Sequence, residues 1–185
     1  PTDVWIQEYL RRRGIPQRIV AAGDPPVRRG DATLEVLHPS LDRTGDAPEV
    51  STRSPRPNDW SVVLRIRLGS QAVLLTGDLE GEGETALLRS GAPLAAQVVK
   101  VPHHGSRRSS TDVFLRTISP TDAVLSVGER NAFRHPHPEV MARYESLGVR
   151  VWRTDRHGAV TVEMRPGETQ VRSRRAPPGT AHEGR

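Results

Sequence analysis

Cysteine is absent from this sequence of 185 residues, and lysine occurs only once, at Lys100. The absence of cysteine excludes disulfide bonds, thiolate metal ligands and cysteine nucleophiles. Any bound metal must therefore be held by histidine, aspartate or glutamate, which suits zinc, manganese or iron.

Long apolar runs are also missing. None approaches the roughly 20 residues that span a bilayer, and residues 1–13 lack the apolar core of a signal peptide. Hydrophobic residues form 35% of the chain and charged residues 26%, which is typical of a soluble protein. The length suffices for one domain with a hydrophobic core. If the protein works at a membrane, we expect the membrane-spanning part to lie outside this chain.

The charge balance is basic, with a net charge of +5 and an isoelectric point of about 10.8. Nearly all of the positive charge is arginine. A basic surface favours polyanions such as nucleic acid. A coding bias that replaces lysine with arginine explains the same composition equally well.

Hydrophobic periodicity predicts strands that alternate with helices, which is typical of an α/β sandwich. We predict helices over residues 3–13, 80–89, 113–117 and 138–147. We predict strands over residues 18–22, 33–37, 61–68, 72–75, 98–101, 123–127, 149–153 and 159–164. Residues 40–59 are expected to form a polar loop. We predict one domain over residues 1–165 and a disordered basic tail over residues 166–185, where proline, glycine and arginine accumulate.

Two strand ends carry the clearest chemical motifs. Asp78 follows Thr-Gly after a short apolar run, where a carboxylate can cap a helix or bridge two metal ions. A second run ends at His103-His104-Gly105-Ser106. Neighbouring side chains on an extended segment point in opposite directions, so we expect only one of the two histidines to bind metal directly. Gly105 permits close backbone approach, and the N–H and hydroxyl of Ser106 can hold an oxyanion.

A third group contains His135 and His137, separated by a proline that stiffens the backbone. These histidines can orient a ligand or act as a general acid. Alternatively, the segment is a rigid helix start with Pro138 at the first helical position. Upstream, Asn58 and Ser61 can orient groups at the same end of the sheet.

In their order along the chain, these motifs resemble the C-terminal metallo-β-lactamase-like domain of ComEC-type competence proteins. The resemblance covers roughly residues 3–165 and rests on residues 74–78, 99–106, 126–128, 131, 135–139 and 153–155. It implies an αβ/βα sandwich with a metal site at one edge of the sheets. It also implies a hydrolase, a phosphodiesterase or nuclease, within a membrane channel that imports single-stranded DNA during natural transformation. Asp78 would then be the metal-bridging carboxylate.

One feature departs from that family. Metallo-β-lactamase-like folds carry a His-x-His/Asp-x-Asp-His ligand motif in their N-terminal half, and this sequence contains none. We therefore expect a sandwich that is incomplete on its N-terminal side.

These observations lead to one main hypothesis, a metal-dependent hydrolase that acts on the phosphate backbone of DNA during uptake. We expect a soluble domain of a bacterial inner-membrane protein on its outer face, joined to the rest of a channel in the same polypeptide; a cytoplasmic location is the alternative. The expected cofactor is zinc or manganese. Its candidate ligands are Asp78 and the pair His103 and His104, of which one is expected to bind directly. The predicted catalytic residues are His104, His135, His137 and Ser106. The predicted substrate-binding residues are Asn58, Ser61, Gly105, Ser106 and Arg107.

Two alternatives remain open at this point. The chain could be a stand-alone hydrolase of the same fold that acts on a small ester, lactone or cyclic nucleotide. It could also be a basic module that binds DNA without cleaving it.

Overall fold

Seven strands form one mixed sheet in the computed structural model, which describes residues 2–40 and 56–175. The spatial order follows the chain from β1 to β7: Val27–Arg29, Ala32–His38, Val63–Leu68, Gln71–Leu75, Val98–Lys100, Asp122–Leu125 and Arg150–Arg153. The strands β1 to β4 pair antiparallel, and β4 to β7 pair parallel. The predicted α/β class is confirmed.

The connections explain this change of direction. A tight turn at Gly69, where φ is +59°, joins β3 to β4 in the predicted hairpin. A parallel pair instead needs a crossover, and a helix supplies each one. These helices are α2 (Gly81–Arg89), α3 (Asp112–Ile118) and α4 (Pro138–Ser146), and α1 (Thr2–Arg12) precedes the sheet. Within the described ranges, no helix is both long and apolar enough to cross a bilayer.

The main core lies between one face of the sheet and the helices α2 to α4. It contains the buried strand residues Leu74, Val99, Ala123 and Leu125, and the buried helix residues Leu87, Phe114, Leu115, Ile118, Val140 and Tyr144. On the opposite face, Leu34 and Ile66 are only half-buried, although they lie in register with the buried Val73. A large sheet covered by helices on one face agrees with a sandwich that is incomplete on one side.

The second, two-stranded sheet corrects the predicted tail. The strands β8 (Val160–Arg165) and β9 (Glu168–Ser173) pair antiparallel across a turn at Pro166 and Gly167. The prediction of disorder is therefore wrong for residues 166–175, because this Pro-Gly pair makes a hairpin turn. Thr169 also donates a 2.8 Å hydrogen bond to Gln71 at the start of β4. Residues 176–185 of the predicted tail lie outside the described residues.

The structure also differs from the predicted elements before β2. Residues 18–22 are not a strand, and Ile19 is 89% exposed. The strand β1 was not predicted, because it is a short edge strand whose three residues are all exposed. Of the predicted loop 40–59, residues 41–55 lie outside the described residues, and Pro57–Trp60 form a short 3₁₀ turn. A short helix, α5 (Thr154–His157), follows β7.

The start of α3 is held by a carboxylate from another helix. Glu84 of α2 is fully buried, and it accepts hydrogen bonds from the backbone N–H of Ser110 at 2.5 Å and of Thr111 at 2.9 Å. Burial raises the pKa of Glu84, and these hydrogen bonds oppose that shift. From α4, Arg143 donates to the carbonyls of Ser109 and Ser110. Three helices therefore meet at one short segment.

Glu84→Ala should strongly destabilise the protein. Each buried N–H without an acceptor costs about 1–3 kcal/mol, so we expect the free energy of unfolding to fall by about 2–4 kcal/mol in urea denaturation. The matched control is Glu82→Ala in the same helix, where the side chain is exposed and the loss should stay below about 1 kcal/mol. Equal losses in the two variants would contradict a capping role for Glu84.

A buried histidine should make the stability depend on pH. His38, at the end of β2, is 3% exposed, and its Nε2 lies 2.8 Å from the carbonyl oxygen of Asp59. Burial lowers the pKa of His38 below its ordinary value of 6.5, and the Asp59 carbonyl and carboxylate oppose the shift. Below pH 6.5 the unfolded chain therefore binds more protons at this residue than the folded chain does.

It follows that the free energy of unfolding should decrease as the pH falls below about 6.5, by at most about 1.4 kcal/mol per pH unit from this residue. His38→Gln should remove that contribution and leave a flatter pH profile in denaturant titrations between pH 7.5 and 5. Identical profiles for the variant and the parent would show that His38 is not held uncharged.

Candidate functional site

The carboxyl ends of β4, β5 and β6 bring the sequence motifs together at one edge of the sheet. Asp78 follows β4, the pair His103-His104 follows β5, and Ser126 follows β6. Such an edge of a parallel sheet is a common place for functional groups.

The two adjacent histidines do not continue the strand as expected. They lie in a tight turn, Pro102–Gly105, whose backbone is left-handed at both histidines, with φ of 45° at His103 and 51° at His104. The prediction of one direct metal ligand assumed an extended backbone at this pair, whereas the backbone is left-handed at both residues. The two ring centroids lie only 6.4 Å apart, and each ring meets a different carboxylate. Left-handed backbone at non-glycine residues costs about 1–3 kcal/mol each and is concentrated at functional sites.

His104 faces Asp78. The carbonyl oxygen of Ser126 lies 2.6 Å from Nδ1 of His104, so Nδ1 carries the proton and donates it. In the neutral form of the ring, Nε2 then has a free lone pair, and it lies 3.7 Å from Oδ1 of Asp78. Two acceptor atoms therefore face each other at a distance too long for a direct hydrogen bond. This arrangement suits a cation between them.

The only lysine of the chain lies beside the same carboxylate. Nζ of Lys100 is 3.4 Å from Oδ1 of Asp78 and donates a hydrogen bond to the carbonyl of Gly77. Burial lowers the pKa of Lys100, whereas the Asp78 carboxylate raises it. The backbone N–H of Asp78 donates to Oγ of Ser61 at 3.2 Å. Ser61, predicted to contact substrate, thus helps to fix Asp78.

His103 is held by a carboxylate that the sequence analysis missed. Nδ1 of His103 lies 2.9 Å from Oε1 of Glu80 and 3.3 Å from Nδ2 of Asn58. Glu80 is 5% exposed, and Arg108 Nε lies 3.5 Å from its Oε2. The sequence analysis predicts Glu80 only as the first residue of a helix. The sequence signal for Glu80 is its position two residues after Asp78, just beyond the end of a strand.

Ser106 is also engaged inside the protein. Its hydroxyl donates to Glu80 at 3.4 Å, and its backbone N–H donates to the carbonyl of His103 at 2.9 Å. Both donors are already used, which differs from the predicted oxyanion role. Arg107, predicted to bind phosphate, makes a two-point ion pair with Glu139 at the surface.

The two histidines of the third motif have different contacts. The ring centroid of His135 lies 5.8 Å from that of His103, so His135 joins the site. Burial lowers the pKa of His135, and neighbouring histidines lower it further. His137 instead caps α4, because its Nδ1 accepts from the N–H of Glu139. His137 therefore fits the alternative interpretation of this segment, which is a helix start with Pro138 at the first helical position.

Gly105 locks this third motif onto the histidine turn. Its carbonyl accepts a 2.8 Å hydrogen bond from the N–H of His137, and Pro136 packs against it. A Cβ at position 105 would lie 2.7 Å from Cβ of Pro136, and φ is +78°. Gly105 thus serves close packing of two backbone segments.

The described residues supply only part of a metal centre. No three histidine, aspartate or glutamate side chains among residues 2–40 and 56–175 converge to hold an ion. Asp78 and His104 offer two donors of suitable chemistry, whereas catalytic zinc sites use three protein ligands. His103, the third predicted ligand, has its Nδ1 on Glu80. The donor set therefore fits two ligands and is incomplete within this part of the chain.

Comparison with known proteins agrees with this architecture. The family model of the metallo-beta-lactamase superfamily matches residues 6–129. ComE operon protein 3 of Bacillus subtilis is 32% identical over 160 residues, which are 86% of this chain and 19% of that protein. Competence protein ComA of Neisseria gonorrhoeae is 44% identical over 104 residues, 56% of this chain and 15% of that protein.

Recombination protein 2 of Haemophilus influenzae is 31% identical over 203 aligned residues, which cover 94% of this chain and 26% of that protein. The chain thus spans about a quarter or less of the length of these relatives. The resemblance found in the motifs is confirmed, and the fold expected from it agrees with the large mixed sheet. The chain belongs to the metallo-β-lactamase superfamily, within the group of ComEC-type competence proteins.

Proposed function

We propose that this chain is part of a metal-dependent phosphodiester hydrolase that acts on DNA during its uptake. The observation that carries the proposal is the facing pair of acceptors, Asp78 Oδ1 and His104 Nε2, at 3.7 Å. The carbonyl of Ser126 orients the ring of His104, and the hydroxyl of Ser61 accepts from the backbone N–H of Asp78. Such outer partners are typical of metal ligands.

Asp78 and His104 would hold a divalent cation, zinc or manganese, together with further ligands. When bound, that cation would lower the pKa of a water molecule and polarise the phosphate. The remaining residues of the site have different tasks. Glu80 fixes the ring of His103 through Nδ1, which leaves Nε2 as the hydrogen-bonding atom for substrate. Lys100 neutralises part of the charge of Asp78.

We assign His135, rather than His137, to substrate positioning. His135 lies against His103, and its lowered pKa favours an uncharged ring at neutral pH. A neutral imidazole can hydrogen-bond a substrate without adding to the positive charge of the site. His137 is committed to the start of α4.

Two observations support DNA as the substrate, the positive net charge of the chain and the names of its relatives. The chain carries a net charge of +5, and exposed arginines flank the site at positions 107, 108, 130 and 134. Two relatives bear the names competence protein ComA and recombination protein 2, and they align with 56% and 94% of this chain. By analogy, we place this chain in a bacterial inner-membrane channel protein, on its outer face, with DNA and the rest of the polypeptide as its partners.

The test is hydrolysis of a labelled DNA oligonucleotide by the chain in the presence of Mn²⁺ or Zn²⁺. Asp78→Asn and His104→Ala should each lower the rate more than about 100-fold, because even the loss of an outer partner of a metal ligand costs about 10- to 100-fold. Both variants should also bind Mn²⁺ more weakly in calorimetric titration. Melting curves of each variant check that the fold is retained.

The matched control is Asp112→Asn. This carboxylate is half-exposed on α3 and pairs only with Arg116 among the described residues, so activity should remain at the parental level. Metal-dependent cleavage that survives in Asp78→Asn would rule out the assigned site. Salt-dependent DNA binding by the parent without any metal-dependent cleavage would favour the binding module instead.

A further inference from the structure

An exposed phenylalanine stands next to the candidate site. Phe133, in the connection between β6 and α4, is 80% exposed, whereas the only other phenylalanine, Phe114, is fully buried. Burying a side chain of this size is worth about 1.5–3 kcal/mol, so folding alone does not explain its position. A large exposed aromatic beside a functional site indicates a binding role.

The connection that presents Phe133 is held in a defined shape. The side chain of Asn131 accepts from the N–H of His135 at 2.8 Å and donates to the carbonyls of His135 and Gly128. Arg134 adopts a left-handed conformation with φ of +55°, which a non-glycine residue rarely adopts. Together with the Gly105 contact at Pro136, these bonds hold the backbone of the connection in one shape.

The ring is continuous with the histidines of the site. Phe133 stacks on His135 with ring centroids 5.9 Å apart and an angle of 18° between the planes. His135 in turn meets His103 at 5.8 Å. His135 thus lies along one side of the phenylalanine, and most of the ring surface, which is 80% exposed, is open to a planar ligand.

Two arginines lie in the same connection as this ring, Arg130 three residues before Phe133 and Arg134 directly after it. Arg130 and Arg134 are exposed, and neither forms an ion pair with a carboxylate within residues 2–40 and 56–175. Arg107 differs, since Glu139 already pairs with it. An exposed aromatic ring and two available guanidinium groups in one short connection match a nucleotide, whose base stacks and whose phosphates pair with arginine.

We propose that Phe133, Arg130 and Arg134 form a binding site for an unpaired nucleotide, with the base stacked on Phe133 and the neighbouring phosphates on the arginines. The inference deepens the proposed function, on which it rests, by naming the contact that selects the substrate strand. A base inside a duplex is already stacked on its neighbours and cannot cover the ring. The site therefore prefers single strands or frayed ends, and places them beside His135 and His103.

The experiment measures binding of a fluorescein-labelled oligothymidylate by fluorescence anisotropy, with EDTA present so that no hydrolysis occurs. A duplex of the same length is measured in parallel. Phe133→Ala should weaken single-strand binding about 5- to 100-fold, the equivalent of one lost base-stacking contact. Duplex binding should change less than about twofold, and Phe133→Trp should bind the single strand at least as well as the parent.

The matched control is Val113→Ala, which removes another exposed apolar side chain, 63% exposed on α3, and should leave both affinities unchanged. The arginines are tested by salt dependence. In the double variant Arg130→Gln with Arg134→Gln, the slope of log K against log salt should become shallower by about 1.4 for single strands, since each phosphate contact contributes about 0.7.

Equal effects of Phe133→Ala on single strands and duplexes would overturn the proposal, and so would a parent chain that binds neither. If Phe133→Ala left oligonucleotide binding intact but abolished binding to phosphatidylglycerol vesicles, the loop would be a membrane contact and the proposal would fail. The proposed hydrolase stands or falls separately. Phe133-dependent binding without cleavage would contradict only the enzyme, whereas cleavage with unchanged binding by Phe133→Ala would contradict only this inference.

Discussion

The buried carboxylate of Glu84 is the constraint on which the site depends. It holds the N–H groups of Ser110 and Thr111, and so fixes the start of α3 to α2. The preceding residue, Ser109, donates from its hydroxyl to the carbonyls of Pro102 and Ser106. Hydrogen bonds therefore fix the segment from Pro102 to Thr111 at its start and at its end. The stability that they supply can offset the cost of left-handed backbone at two adjacent histidines.

Given that turn, the electrostatics of the site follow. The two histidine rings meet two different carboxylates, so the adjacent side chains divide into two functions. Glu80 saturates one nitrogen of His103, and the backbone at Ser126 saturates one nitrogen of His104. What remains open is an acceptor pair with one partly buried ammonium beside it. The site is thus rich in oriented lone pairs, as the proposed cation-dependent hydrolase requires.

Much of the sheet could be predicted, because strands such as β4 and β5 are short apolar runs that end at recognisable motifs. The helices α2 and α4 and the β3–β4 hairpin followed from turn residues and periodicity. Backbone conformation at His103 and His104 could not be predicted, since tertiary contacts impose it. Glu80 was missed because its role depends on a partner 23 residues away. The β9 strand was missed because composition, without a pairing partner in view, resembles that of a disordered tail.

The position of Lys100 has a consequence for chemical labelling. Apart from the amino terminus, this side chain is the only amine in a chain whose other cationic side chains are arginine and histidine. It lies beside Asp78, about a quarter of it is exposed, and burial lowers its pKa, which increases the fraction of reactive free amine. An amine-selective reagent can therefore modify only one side chain of this protein, and that side chain lies in the candidate site. A ligand that occupies the site should therefore protect Lys100 from the reagent.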